Sequence, residues 1–276
     1  MSNYIQIPNS IATKLTKKSK QEEALTYAII RNEIKDNHFK ASIAEKQIAE
    51  TMKVTERTVN SYVANLKETG LLKVTERKQG ELEYPYNVYQ FEYLRKDYFV
   101  ILEPFLFDDN ISPKLKGLLL FIKANCWNGT NYLLFNGKTT DLPNKLGVGK
   151  NLINTYLSEL ESKGYIRFIG KSLHITNDCF PLSFKNDSDN TAYKIIYNFC
   201  MERNRVPPVK DVDTTGKDEA LSWIVGEYLD DTNRLLRTLN KRCKNLPEKL
   251  TIRYFCQALR NKLPPKVNEQ IPVIIL

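Results

Sequence analysis

Arg57, Asn60 and Ser61 fall on one side of a short helical pattern, with Thr55 at its start and Thr58 alongside. An arginine side chain can hold guanine through two parallel hydrogen bonds, and asparagine can hold adenine in the same way. The face they form, completed by Ala64, is short, polar and uncluttered, as close approach to base edges requires. About ninety residues downstream, Asn151, Asn154, Thr155 and Ser158 occupy the matching positions, with Lys150 beside them. The two faces differ in chemistry, so they would prefer different base sequences. The competing reading is a pair of merely solvated helix faces.

What must position these groups is a segment that occurs twice. Residues 55–74 align without a gap on residues 149–168. Val59 matches Ile153, Asn60 matches Asn154, Tyr62 matches Tyr156, Leu66 matches Leu160 and Gly70 matches Gly164. In the first copy Val59, Tyr62, Val63 and Leu66 point inward, and after each glycine the period changes from helix to strand. A helix that ends on glycine and runs into an apolar-basic strand is the pattern of a winged helix, a scaffold that places one helix in the DNA major groove. The expected fold is α+β: two tandem winged helix-turn-helix domains at 1–95 and 96–185, then a mostly α-helical C-terminal domain at 186–276.

Each copy carries the signals of that order. Tyr4–Ile7 and Tyr98–Leu102 read as opening strands. Ser19 with Glu22, and Ser42 with Glu45, read as capping boxes for the first two helices. Lys53 and Val54 make the next turn, and Thr55 caps the third helix. In the second copy Ser112 and Pro113 open the first helix, Thr139 or Thr140 the next, and Val148 matches Val54. The wings carry Arg77, Lys78 and Lys171, which suit phosphate contacts that fix register without reading sequence. Glu81 and Glu83 oppose that role in the first wing. In the C-terminal part, Arg234, Arg237, Lys241 and Lys244 form a basic stripe opposite Leu235, Leu236, Leu239 and Cys243. Such a stripe suits a DNA backbone, an acidic partner or water alone.

Composition narrows the field further. The chain has 276 residues, 42% hydrophobic and 26% charged, with a net charge of +9 spread evenly along its length. A basic balance attracts phosphate. No apolar run is long enough to span a bilayer, and the first residues lack the pattern of a signal peptide. Five scattered cysteines with no Cys-x-x-Cys pair read as reduced thiols. Cytoplasmic placement, in a bacterial cytosol or nucleoid, is the expectation. The segment Gly147–Asn151 resembles the end of a phosphate-binding loop, but Asn144 and Asn151 stand where glycine and Ser/Thr are needed. Only two histidines occur, His38 and His174, without metal-ligand spacing, and no nucleophile–base grouping is found. Neither catalysis nor a cofactor nor a metal is expected.

The stretches Ile111–Leu120 and Asn151–Ile166 resemble those of plasmid and phage replication-initiation proteins, and the likeness covers about residues 1–180. The resemblance implies recognition of direct or inverted repeats in double-stranded DNA at an origin. It also implies recruitment of host replication proteins; the C-terminal helices are expected to dock such a partner or a second copy of the chain. A transcriptional regulator using the same contacts and a winged-helix protein adaptor are the alternatives.

Overall fold

The computed structural model describes residues 4–35, 38–79, 85–95, 97–126, 130–134, 143, 146, 148–169, 172–182, 187–208, 219–228, 230–247 and 250–260. The chain is mixed α and β and divides into two compact units, 1–183 and 184–276.

In the first unit a strand, β1 (Tyr4–Pro8), and a single helical turn, α1 (Ile11–Lys14), precede the first copy of the repeat. That copy runs α2 (Lys20–Asn32), β2 (Lys40–Ile43), α3 (Glu45–Met52), α4 (Glu56–Glu68), β3 (Lys73–Gln79) and β4 (Pro85–Gln90). Its sheet is antiparallel with the order β2-β4-β3, so the last strand lies in the middle. After β5 (Tyr98–Leu102), the second copy runs α5 (Pro113–Ala124), β6 (Tyr132–Leu134), α6 (Lys150–Ser162), β7 (Ile166–Ile169) and β8 (Ser172–Ile175). Pro143 and Leu146 are helical between β6 and α6. Thr139 and Thr140 lie outside the described residues. The second sheet has the order β6-β8-β7, the same arrangement of first, third and second strand.

Local chemistry explains the element ends. The Thr55 hydroxyl accepts a hydrogen bond from the Thr58 amide at 3.2 Å, and Ser112 caps α5 in the same way. Gly70 and Gly164 sit at φ +68° and +77° directly after α4 and α6, a left-handed cap that an L side chain resists. The two expected capping boxes do not form. Ser42 lies within β2, paired with Val88, and Ala44 takes the N-cap position of α3, where Gln47 accepts its amide at 3.1 Å. Ser19 makes no side-chain cap and instead donates to Glu23 at 2.7 Å.

The two copies are joined by contacts that sequence periodicity does not show. β1 pairs antiparallel with β5, from Tyr4 opposite Leu102 to Pro8 opposite Tyr98. Helices α2 and α5 pack so closely that a Cβ on Gly117 would lie 1.8 Å from the Gln21 carbonyl oxygen. One buried core runs through both copies, including Ile7, Ala28, Val59 and Leu66 from the first and Leu118, Phe121, Ile153 and Leu160 from the second. Lys123 is buried in the second copy, where its Nζ donates to the Thr130 carbonyl at 2.9 Å, Asn131 Oδ1 at 2.5 Å and the Pro181 carbonyl at 3.3 Å. Burial lowers its pKa to about 8.

The second unit is helical where described: α7 (Asp187–Met201), α8 (Glu219–Tyr228), α9 (Thr232–Arg242) and α10 (Ile252–Leu259). Tyr193, Ile196, Phe199, Leu221, Ile224, Leu235, Leu239 and Phe255 are among its buried side chains. No helix among the described residues is long and apolar enough to cross a membrane.

Candidate functional site

Helix α4 turns one face to the core and one to solvent because its apolar residues recur every three to four positions. Val59, Tyr62, Val63 and Leu66 are buried, and Arg57, Asn60, Ser61 and Ala64 are exposed. Thr55 is exposed and Thr58 half-buried. Their hydroxyls lie 2.9 Å apart and hold the helix start, so they are partly committed to capping.

Asn60 has a neighbour that spacing did not reveal. With its amide nitrogen facing inward, it donates to both carboxylate oxygens of Glu45 at 2.5 and 2.7 Å. Asn87 on β4 donates to the same carboxylate at 2.9 Å. Glu45 thus clasps α3, α4 and β4 together, and it also places a negative charge beside the exposed face of α4. The Asn60 carboxamide keeps its oxygen available while its nitrogen is held. The only trace of this in the sequence is Glu45 itself, read as part of a capping box.

Helix α6 repeats the two-faced pattern. Ile153, Leu157 and Leu160 are buried, while Asn151, Asn154, Thr155 and Ser158 are exposed. Leu152 stands among them, 49% exposed, an apolar side chain on an otherwise polar surface. Lys150 begins the helix, and its side chain lies outside what is described. No acidic residue occurs in the first turn of α6, whereas α4 begins with Glu56. The two faces are therefore electrostatically different as well as different in donors and acceptors.

Of the residues expected in the wings, Arg77 and Lys78 lie in β3 opposite Asn87 and Tyr86. Their side chains, and Lys171 altogether, fall outside the described residues.

The basic stripe of the second unit is partly neutralised. Arg234 pairs with Glu227 at 2.9 Å and stacks 5.0 Å from the Tyr228 ring, and Arg237 approaches Asp231 at 3.4 Å. Lys241 and Lys244 are exposed, Lys244 beyond the end of α9. Leu235, Leu239 and Cys243 are buried as an apolar stripe requires, but Leu236 is 39% exposed and leaves it. Position 236 follows Leu235 by one residue, a 100° turn that carries it off the buried face.

Comparison with known proteins returns no matching family model, no matching curated protein and no matching solved structure.

Proposed function

We propose that residues 1–183 form a tandem winged-helix body that binds double-stranded DNA sequence-specifically, with α4 and α6 in successive major grooves. The observation that carries this reading is the doubled arrangement: two three-stranded sheets of the same strand order, each with its last two strands following a helix that has an exposed polar face and a left-handed glycine at its end. Arg57 suits guanine, Asn151 and Asn154 suit adenine, and Leu152 suits a thymine methyl group. Replication initiation for a plasmid or phage is the role we assign, with origin repeats as the target. The helical second unit would then dock a partner or a second copy. We read it as a non-enzymatic binder of the cytoplasm.

Because α2, α5 and the β1–β5 pair tie the copies together, the two helices should require half-sites at one spacing, about 10 base pairs or a multiple. Selection of bound sequences from random duplexes, followed by footprinting, tests the reading. A two-part motif protected in several repeats supports origin binding, whereas one protected site over a promoter supports the regulator. The absence of any enriched motif would sink the proposal.

Two variants sharpen it. Arg57→Ala should weaken the best site by about 1–3 kcal/mol and relax base choice at one position. An equal loss on random DNA would show that Arg57 contacts only backbone. Lys78→Ala should weaken all sequences alike and reduce the slope of log affinity against log salt by about one. An unchanged slope would remove the first wing from the contacts.

A further inference from the structure

At the C-terminal end of α2, where α2, β1 and β5 meet, a cleft of about 770 Å³ opens between residues of both copies. Its size is in the range of small-molecule sites. Three features give it a chemical preference.

The first is Arg31. This side chain lines the cleft, is 5% exposed, and among the described residues has no carboxylate within 4 Å. It is held by the Tyr27 hydroxyl at 3.3 Å and by the Tyr27 and Phe91 rings at 6.0 and 5.2 Å. The helix C-terminus helps to stabilise a cation there, and with no carboxylate that close among the described residues the buried guanidinium still favours an anion. The second is Asn32, whose Oδ1 is buried and accepts no hydrogen bond, while its Nδ2 donates to Glu103 at 3.2 Å. That unmet acceptor calls for an N–H donor, which a ligand supplies once the Asn32 side chain turns its sealed oxygen toward the cleft it lines. The third is an aromatic wall. Tyr4 and Tyr93 also line the cleft and are 72% and 59% exposed, and Phe39 lies 5.0 Å from Tyr93. Phe39 has φ +55°, a left-handed backbone that a bulky residue rarely adopts and that collects at ligand sites.

We propose that this cleft binds a nucleoside monophosphate group, with the base on the tyrosine wall, an N–H of the base on Asn32 and the phosphate on Arg31. The remaining charged residues of the lining are Lys35, Glu33 and Glu103. With Arg31 they balance, so a single phosphate is favoured and a triphosphate meets the two carboxylates. The nucleotide has two sources, a free monophosphate or one residue of a single strand. The site is separate from the exposed faces of α4 and α6, so it stands or falls independently of the duplex reading.

The test is titration calorimetry of the full chain, with no duplex present, against AMP, GMP, CMP, TMP, ATP, adenosine, inorganic phosphate and ten-nucleotide oligo(dA) and oligo(dT). One monophosphate should bind per chain, with adenosine, inorganic phosphate and ATP each at least about tenfold weaker. Tyr93→Ala, at an exposed position, should weaken binding at least about fivefold without changing the melting temperature. Arg31→Met should abolish it, and Lys35→Ala, also exposed, should leave most of it. Binding of oligonucleotides without free monophosphates supports the site and assigns the group to a strand. Three results overturn it: no binding by either source, inorganic phosphate binding as tightly as AMP, or Tyr93→Ala leaving affinity unchanged.

Discussion

Gly117→Ala should destabilise the 1–183 unit by at least about 3 kcal/mol, the upper part of the range for overpacking a core. The added Cβ would meet the Gln21 carbonyl oxygen at 1.8 Å, its carbon at 2.3 Å and its Cα at 2.7 Å. All three are backbone atoms, so no rotamer change relieves the clash. The helices must move apart, and Ala24, Ala28, Leu118 and Phe121 lose part of their shared burial. Urea denaturation followed by circular dichroism measures the effect. Gly226→Ala is the control: it lies within α8 with open space around its Cβ, and alanine there should stabilise by about 0.5–1 kcal/mol. If Gly117→Ala unfolds at the same urea concentration as the parent, the close approach of α2 and α5 is overturned. If α4 and α6 read half-sites as proposed, loosening α2 from α5 in Gly117→Ala should also broaden the spacing they tolerate.

Acid should weaken the second copy through His174. This ring is fully buried in the central strand β8, its Nε2 2.7 Å from the Ser172 hydroxyl and its centroid 5.5 Å from the Tyr132 ring. Burial, helped by the nearby Arg167 charge, lowers its pKa from 6.5 to about 4. Between those two values the unfolded chain holds a proton on His174 and the folded chain does not. Stability contributed by the neutral ring is therefore complete above pH 6.5 and is lost as the pH falls toward 4. The full loss is about 3 kcal/mol at 1.36 kcal/mol per unit. Carboxylates elsewhere add their own acid dependence, so the measurement is a comparison. Urea midpoints of the parent and of His174→Gln, taken from pH 7 to pH 4, should converge as acid is added. Parallel curves would show that the ring is not kept neutral by the fold.

What could be read from the chain follows the range of the interaction involved. Thr55, Ser112, Gly70 and Gly164 act within four residues, and their roles are visible in the sequence. The outward positions of Arg57, Asn60, Asn151, Asn154, Thr155 and Ser158 follow from helical period alone. Ser42 fails as a cap because a strand more than forty residues later claims its backbone. Glu45 is recognised as important and misassigned for the same reason: its partners, Asn60 and Asn87, come from two other elements. On the proposed reading, the bond to Asn60 would fix the carboxamide that a base has to meet. Leu236 shows the opposite limit, where an apolar residue type outweighed its angular position. The cleft around Arg31 had no signal at all, because its wall combines residues from four separate stretches of chain.

The pairing of Tyr4–Pro8 with Tyr98–Leu102 also governs how the molecule is made. During synthesis the earlier strand emerges and waits for some ninety further residues before its mate exists. The upstream copy is therefore not a module that can finish by itself, and severing the chain between the copies strips an edge from each piece. In crowded refolding, that same edge lets one molecule complete another's ribbon, so exchanged dimers are the misassembly to look for when the protein is recovered from denaturant.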